Sequence, residues 1–193
     1  MRVSGSGRCF FCRLFCAVLF GLLPFFGYAD DFAAKVTQAE ITSQGEYYVV
    51  SADIVYNLGE KAKDALQNGV PLFWDLQIKL RQHRDSFWDK TLVDTAIRYR
   101  LQYHALLNMY RVRNEGDGEV YNFSTLSAAL ELMSALRDFR LIEQAQIEPQ
   151  KQLVCAVKVS FDRDALPLPL RPIAYIDPQW YLSSDWTLWP LKK

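Results

Sequence analysis

The sequence predicts an α+β protein: a curved antiparallel β-sheet or open sandwich of six to eight strands, crossed by two short covering helices. Apolar and polar residues alternate with a period of two in several segments, which is typical of half-buried strands. Two other segments space their apolar residues as a helix does. Half of the 193 residues are apolar, so the chain can bury a sizeable core.

The first 29 residues have the pattern of a secretory signal peptide. Three arginines precede the apolar stretch 14–26, and the small residues Gly27 and Ala29 follow it. We therefore expect cleavage after Ala29 and export to the periplasm, which leaves residues 30–193 as a single domain with a tryptophan-rich tail. The alternative is an uncleaved inner-membrane anchor, although this stretch would rise only about 20 Å as a helix, less than the roughly 30 Å hydrocarbon core.

Removal of this segment would change both the charge and the cysteine content. The remaining chain would keep all 22 acidic residues and 19 of the 22 basic ones, since three arginines leave. This small negative charge gives no reason to expect a nucleic-acid partner. Three of the four cysteines also leave, so Cys155 has no partner for an internal disulfide and is expected to be a small buried side chain.

The elements begin with two strands and a helix. Alternation predicts strands over residues 36–43 and 48–58, with Gly45 in the turn between them. A narrow apolar stripe then predicts a helix over residues 59–68, capped by Asn57 at its start. A helix this short needs the sheet beneath it to persist.

The next two strands are expected to form the centre of the sheet. Residues 72–80 alternate on even numbers, and residues 92–113 alternate mainly on odd numbers, as one long strand with a bulge or sharp bend near His104. If these strands pair antiparallel, their apolar faces match only when opposed residue numbers sum to an odd value. A sum of 175 brings opposite charges together, and a slip to 173 still pairs Asp75 with Arg98.

The second half of the chain continues the alternation. A turn rich in Asn, Asp and Gly precedes a return strand over residues 119–123, and Ser124 then caps a helix over residues 125–137. Residues 140–143 are expected to form a short edge strand and residues 153–161 a core strand that includes Cys155. Three prolines beyond it predict an extended crossing that leads into the tail.

A basic strip lies on the polar face of the long predicted strand. Its members are Arg98, Arg100, Arg111 and Arg113. Two aspartates at opposed strand positions, Asp75 and Asp94, are expected to neutralise much of this charge. An ordinary solvated sheet face is therefore favoured over an anion-binding surface.

Few residues beyond the signal peptide could carry catalysis. The two histidines, His83 and His104, would lie roughly 40 Å apart on the predicted strands, so we expect no shared metal site. No catalytic residue and no cofactor is predicted, and an enzyme is not favoured. His104 is a candidate functional residue because bulges re-aim side chains at sites. The alternative is a histidine that faces solvent or only stabilises the bulge.

The tail is the most specific surface feature of the sequence. Tryptophan and tyrosine side chains stack on sugars and dominate the binding energy of protein interfaces. The candidate partner-binding residues are Arg171, Trp180, Tyr181, Trp186 and Trp189. The alternative is that the tail closes the core as a strand or strap, because large aromatic residues are usually buried in good part.

Several motifs follow one another in a fixed order along the chain. They are YRLQYHAL at 99–106, LPLPL at 166–170, Arg171-Pro172, WYLSSDW at 180–186 and Trp189-Pro190. In this order they resemble an exported family of Gram-negative bacteria known as domain of unknown function 4390, whose members are often labelled proline-rich signal-peptide proteins. The resemblance implies no activity, ligand or catalytic residue. It implies a link to envelope sensing, since such genes often lie beside one for a nitrogen-type sensor kinase.

These observations predict a non-enzymatic interaction module of the periplasm or envelope, whose partner is an envelope protein of unknown identity. One alternative is a protein that binds or cleaves cell-wall glycans. A weaker alternative is a lipid carrier that uses the concave face of the sheet. Contact with a membrane is expected only if the signal peptide stays uncleaved.

Overall fold

Two antiparallel sheets share one apolar core. The structure is a computed structural model that describes residues 33–82, 89–147 and 152–191. The predicted signal peptide and His83 lie outside the described residues. Within them the chain forms nine strands and three α-helices, and the predicted α+β class is confirmed.

The elements follow one another in the order strand, strand, helix, four strands, helix, two strands, helix, strand. The strands are β1 (Ala34–Gln44), β2 (Tyr47–Tyr56), β3 (Leu72–Gln82), β4 (Lys90–His104), β5 (Met109–Asn114), β6 (Val120–Phe123), β7 (Ala135–Glu143), β8 (Leu153–Phe161) and β9 (Thr187–Pro190). The helices are α1 (Glu60–Gln67), α2 (Leu126–Ser134) and α3 (Arg171–Ile176), with short 3-10 helices at Gln144–Gln146 and Pro178–Trp180.

The smaller sheet has the strand order β1, β2, β7, and the larger has the order β6, β5, β4, β3, β8, β9. Of the two predicted forms, a curved sheet or an open sandwich, the two sheets correspond to the open sandwich. The described strands number nine rather than six to eight, because residues 92–113 form two strands and the tail adds β9. The third helix, α3, lies where an extended crossing was expected, so that prediction is wrong.

β3 supplies the middle of the core. Every even-numbered residue from Leu72 to Gln82 is buried and every odd-numbered one is partly exposed, as the alternation predicts. On the same core lie Cys155 from β8, and Ile41 and Ile54 from the smaller sheet. Each large apolar side chain buried in this way stabilises the fold by about 1.5–3 kcal/mol.

The pairing of β3 with β4 follows the second of the two predicted registers. Leu72 lies opposite Leu101 and Asp75 opposite Arg98, so opposed residue numbers sum to 173, and the sum of 175 is wrong. The Arg98 guanidinium donates to the Asp75 carboxylate, with an N–O distance of 3.1 Å. The apolar faces match in either register, since a shift of two residues returns each side chain to the same face.

The long strand predicted over residues 92–113 is instead a hairpin. β4 ends at His104, which pairs with Met109 across a four-residue turn. The turn is closed by hydrogen bonds from the Leu107 N–H to the His104 carbonyl (3.1 Å) and from the Asn108 N–H to the Ala105 carbonyl (3.2 Å). The apolar residues change from odd to even numbers near His104 because the chain reverses there. His104 therefore ends a strand rather than lying beside a bulge.

The helix caps differ from those predicted. α1 begins after Gly59, not Asn57, and its cap makes no side-chain hydrogen bond. α2 is capped by Thr125 rather than Ser124: the Thr125 hydroxyl accepts from the Ala128 N–H at 3.3 Å. α2 then ends at Ser134, because the next residues pair with β2 as part of β7.

Gly59 is the position where the fold requires a glycine for lack of space. A Cβ there would lie 2.6 Å from the Gln179 carbonyl oxygen and 2.9 Å from the Gln179 Cβ. We expect Gly59→Ala to lower the free energy of unfolding by about 1–3 kcal/mol, as overpacking does. Urea denaturation measures this, with Gly116→Ala in an exposed turn as the control. Equal stability of the two variants would contradict the close packing of Gln179 on α1.

Candidate partner-binding site

The C-terminal segment, residues 162–191, begins with a turn that is tied to the larger sheet. The Asp162 carboxylate accepts from the N–H groups of Asp164 (3.0 Å) and Ala165 (3.1 Å) and forms an ion pair with Arg98. Burial alone would raise the pKa of Asp162, but the hydrogen bonds from Arg98 and the two N–H groups hold it below its usual value. The start of the segment is therefore fixed against β4.

α3 follows because its proline stands where a helix tolerates one. Pro172 lies in the first turn, where its missing N–H would have no partner in the helix. The Arg171 Nε donates to the Leu166 carbonyl at 2.7 Å, which holds the preceding turn closed. Ala174 is buried. α3 thus rests on the core with a small residue, and its larger apolar side chains stay outside.

Seven large apolar side chains of the C-terminal segment are exposed, and five of them lie within residues 168–181. We call these five the C-terminal apolar patch: Leu168, Ile173, Tyr175, Ile176 and Tyr181. Leu168 and Ile176 expose 73% and 79% of their surface. Single exposed apolar residues are ordinary, but five of them within 14 residues are unusual for a surface that contacts only water.

A groove of about 430 Å³ lies beside this patch, between α1 and the C-terminal segment. Ala65 and Val70 line one side, and Leu170, Ile173 and Trp180 line the other. Ile173 belongs to both the groove and the patch, so the two apolar surfaces are continuous. The groove is large enough to take an apolar side chain from a bound partner.

Polar contacts hold the two walls of the groove together. The Lys61 N–H donates to the Gln179 side-chain oxygen at 3.2 Å, and the Lys61 ammonium binds the Asp177 carboxylate. The hydrogen bond from the Lys61 ammonium, together with a second one from the Gln179 N–H, lowers the pKa of the Asp177 carboxyl. With Gly59 packed on Gln179, these contacts fix the width of the groove.

An acidic depression of about 460 Å³ adjoins the patch on its other side. Asp75, Asp162 and Asp164 line it, together with Arg163 and Tyr175, and Arg98 pairs with the first two carboxylates. The Tyr175 hydroxyl donates to the Asp164 carboxylate at 2.9 Å. A partner that covers the patch would therefore meet the Asp164 carboxylate at this border, beside Tyr175.

The predicted site residues are divided among different surroundings. Trp180 is buried and stacks on Phe161, with ring centroids 6.1 Å apart, and its Nε1 has no hydrogen-bond partner among the described residues. Trp189 is half-buried in β9, opposite Cys155. Arg171 binds the Leu166 carbonyl. Of the five residues, Tyr181 alone joins the patch.

Trp186 lies apart from the patch, on the outer face of the larger sheet. It exposes 37% of its surface. The ammonium groups of Lys79 and Lys158 lie 5.2 and 5.9 Å from its ring centroid, within the range of a cation–π contact. This residue therefore belongs to a different surface from that of Tyr181.

The sequence contained a signal for the patch that alternation did not reveal. Ile173 and Ile176 are three residues apart, which is a helical spacing, and they follow Pro172 directly. Proline is favoured in the first turn of a helix as well as in extended segments. The three prolines together favoured the extended form, and the short helix was missed.

His104 lies at the other predicted position, on the outer face of β4. It lines a depression of about 100 Å³ with Gln102 and three arginines of the basic strip. Its Nε2 is buried and has no hydrogen-bond partner among the described residues. The histidine is therefore next to concentrated positive charge, far along the chain from the C-terminal apolar patch.

No group of three or more His, Cys, Asp or Glu side chains among the described residues is arranged to hold a metal ion. Among the same residues, each helix is too short or too polar to cross a membrane.

Comparison with known proteins yields one match. The model of a family described as Domain of unknown function (DUF4390) matches residues 32–190. No curated protein and no solved structure matches the chain.

Proposed function

Since the chain belongs to the family described as Domain of unknown function (DUF4390), whose description assigns no activity, we propose a role from its own surfaces. It is a non-enzymatic interaction module, exported to the periplasm by its N-terminal segment, that binds an envelope protein through the C-terminal apolar patch. The observation that carries this proposal is the continuous apolar surface formed by the patch and the groove beside α1. Envelope sensing is the process in which we expect this partner to act.

The surface favours one kind of partner, an amphipathic segment that also carries a basic residue. The groove would accept one apolar side chain, and Ile173 and Ile176 would pack against others. The basic residue would face Asp164 at the border of the acidic depression. Apolar anchors supply most of the affinity in such contacts, and the charge sets the orientation.

The aromatic rings of the tail favour a protein over a glycan. A sugar would stack on an open ring face. The Arg163 guanidinium lies 4.8 Å from the ring centroid of Tyr181 and 5.4 Å from that of Tyr175. One face of each ring is therefore already covered by a cation, and the same holds for Trp186 with its two lysines.

Photo-crosslinking in the cells that produce the protein tests the proposal. We expect a benzoylphenylalanine at Ile176 to give one discrete adduct with an envelope protein, and the crosslinked peptide to be amphipathic with a basic residue. The same group at Val55, which is exposed on β2, serves as the matched control and should give no such adduct.

The double variant Ile173→Asp, Ile176→Asp should then remove the contact. Two buried isoleucines would each contribute at least a factor of ten to affinity, so the loss should exceed about tenfold even if one stays partly exposed. Because both side chains are exposed in the free protein, the melting temperature should stay within a few degrees. Adducts of equal yield at Ile176 and Val55, or an unchanged adduct in a background with Ile173→Asp, would refute the proposal.

A further inference from the structure

The turn between β4 and β5 exposes two adjacent leucines. Leu106 exposes 102% of the surface of a free residue and Leu107 exposes 60%. Turns normally use Gly, Asn, Asp or Ser, since these residues suit the backbone and tolerate water. Neither leucine is part of the buried core, so packing within the fold does not explain why apolar residues stand there.

The turn is held in one conformation by its own contacts. Asn108 has a φ of +50°, which asparagine tolerates better than most residues, and its side chain accepts from the Tyr103 hydroxyl at 2.7 Å. Tyr103 packs on Tyr110, with ring centroids 4.9 Å apart. The leucines are therefore presented on a fixed support, and the two tyrosines lie behind them on the core-facing side of the hairpin, where they are half-buried. Tyrosine is enriched at the level where lipid headgroups meet hydrocarbon.

Positive charge follows the leucines along the outer face of the same two strands. After His104 come the opposed pairs Gln102 with Arg111 and Arg100 with Arg113. These pairs lie within about 13 Å of His104 along the strand. All of them line the depression in which the His104 Nε2 has no hydrogen-bond partner among the described residues.

Carboxylates among the described residues neutralise only part of the positive charge on this face. Arg98 is neutralised by Asp75 and Asp162, as the sequence predicts for part of the basic strip. Arg111 has no ion pair among the described residues and donates only to the Asn122 side chain (3.0 Å). Arg100 and Arg113 share one carboxylate, that of Glu115, at the long distances of 3.9 and 3.7 Å. That glutamate lies beyond the far end of β5, roughly 20 Å from Met109 along the strand.

We propose that the β4–β5 hairpin is a docking site for the surface of an anionic membrane. Leu106 and Leu107 enter the outer edge of the hydrocarbon, Tyr103 and Tyr110 lie at the headgroup level, and the arginines bind headgroup phosphates. The depression at His104 then receives one phosphate, which accepts a hydrogen bond from Nε2 when that nitrogen carries the proton. This contact does not require the N-terminal segment and was not expected from the sequence.

A membrane fits this surface better than a protein does. An apolar tip of two residues, backed by tyrosines and followed by cations on one face, matches the order of hydrocarbon, interface and charged headgroups. A protein partner would need a pocket for the tip and a continuous contact area of several hundred Å². Here the two exposed leucines are confined to the turn, and the exposed Val120 lies among the arginines of the depression.

Vesicle binding tests the proposal. Residues 31–193 form a compact unit that contains the whole described core, so this unit is mixed with vesicles of phosphatidylcholine alone or with one-third phosphatidylglycerol. We expect co-sedimentation with the anionic vesicles and little with the neutral ones. The variant Leu106→Asp, Leu107→Asp should lower the partition coefficient at least tenfold. Arg111→Gln with Arg113→Gln should lower it about twenty-five-fold, at about fivefold for each cation.

A fluorescent label can report whether the tip enters lipid. In residues 31–193 the one native cysteine is Cys155, which is buried, and burial raises the pKa of its thiol to about 12. A Leu106→Cys variant can therefore be labelled selectively with nitrobenzoxadiazole. Its emission should rise on anionic vesicles, and that of the same label at Ile176→Cys should not.

The matched control separates this inference from the proposed function. Ile173→Asp with Ile176→Asp should bind vesicles like the wild type, and the Leu106, Leu107 variant should keep its protein partner. Vesicle binding that survives the loss of both leucines would overturn the proposal, as would no binding to anionic vesicles. Calorimetric binding of inorganic phosphate without vesicle binding would also overturn it, because the depression would then serve a soluble anion.

Discussion

Replacement of Trp74 by alanine is expected to lower the free energy of unfolding by about 4 kcal/mol, the largest effect of any single substitution considered. Trp74 is fully buried in β3, at the centre of the larger sheet. Its ring packs edge-on against Tyr56 (centroids 5.8 Å apart) and against Phe161 (5.2 Å). Its Nε1 donates to the Leu182 carbonyl at 3.2 Å. Alanine would remove the burial, both ring contacts and the hydrogen bond that fixes the C-terminal segment.

Urea denaturation with an unchanged m-value measures this loss. Trp74→Phe keeps most of the ring packing and removes the donor to Leu182, so it should cost about 1–3 kcal/mol. Trp186→Ala is the matched control on the outer face, where a partly exposed tryptophan should contribute less than about 1 kcal/mol. Similar losses at Trp74 and Trp186 would mean that the core is not organised around β3.

Alkaline pH is expected to destabilise the protein by a comparable amount. Burial raises the pKa of the Cys155 thiol from 9.0 to about 12. The unfolded chain therefore releases this proton first, so the stability is fully present below pH 9 and is lost as pH rises towards 12. The slope is about 1.4 kcal/mol per pH unit, which amounts to about 4 kcal/mol over that window. Burial also raises the pKa of Tyr56, which adds a loss of the same sign above pH 10.

Denaturation at several pH values between 8 and 11, for wild type and variants, isolates these contributions. Cys155→Ala should flatten the decline above pH 9, and Tyr56→Phe should flatten it above pH 10. The Tyr56 hydroxyl has no hydrogen-bond partner among the described residues, so Tyr56→Phe should cost little at pH 7. Parallel pH profiles for Cys155→Ala and wild type would show that the thiol is not held protonated by burial.

The strands that could be predicted from the sequence are those in which every second residue is buried. β3 and β8 satisfy this condition over their whole length, so their positions and faces follow from alternation alone. Register is less determined, because a shift of two residues returns each side chain to the same face and keeps Asp75 opposite an arginine. Alternation also continues through a reversal of the chain. The hairpin at His104 was therefore predicted as a bulge or sharp bend in one long strand.

The candidate site was less predictable than the fold, because residue type alone does not determine burial. Trp180 and Trp186 lie six residues apart in one segment, yet the first is buried beside Phe161 and the second is exposed between two lysines. The difference arises from α3 and the short helix after it, which turn Trp180 towards the core. A segment whose helix has only six residues leaves almost no periodic signal.

The two proposed surfaces assign the unusual exposed residues to different tasks. The C-terminal apolar patch and its groove would bind a protein segment, and the β4–β5 hairpin would hold the module at a membrane. Binding at a membrane would raise the local concentration of an envelope partner. Each surface can be removed by two aspartate substitutions without disturbing the buried core, so their contributions can be measured separately.

The dissociation constant of the crosslinked partner segment tests the central claim most directly. Calorimetry with a synthetic peptide of that segment should show binding to the wild type and at least a tenfold weaker affinity for Ile173→Asp, Ile176→Asp, with Leu106→Asp, Leu107→Asp unchanged. Equal affinities for the wild type and the Ile173, Ile176 variant would contradict the assignment of partner binding to the C-terminal apolar patch.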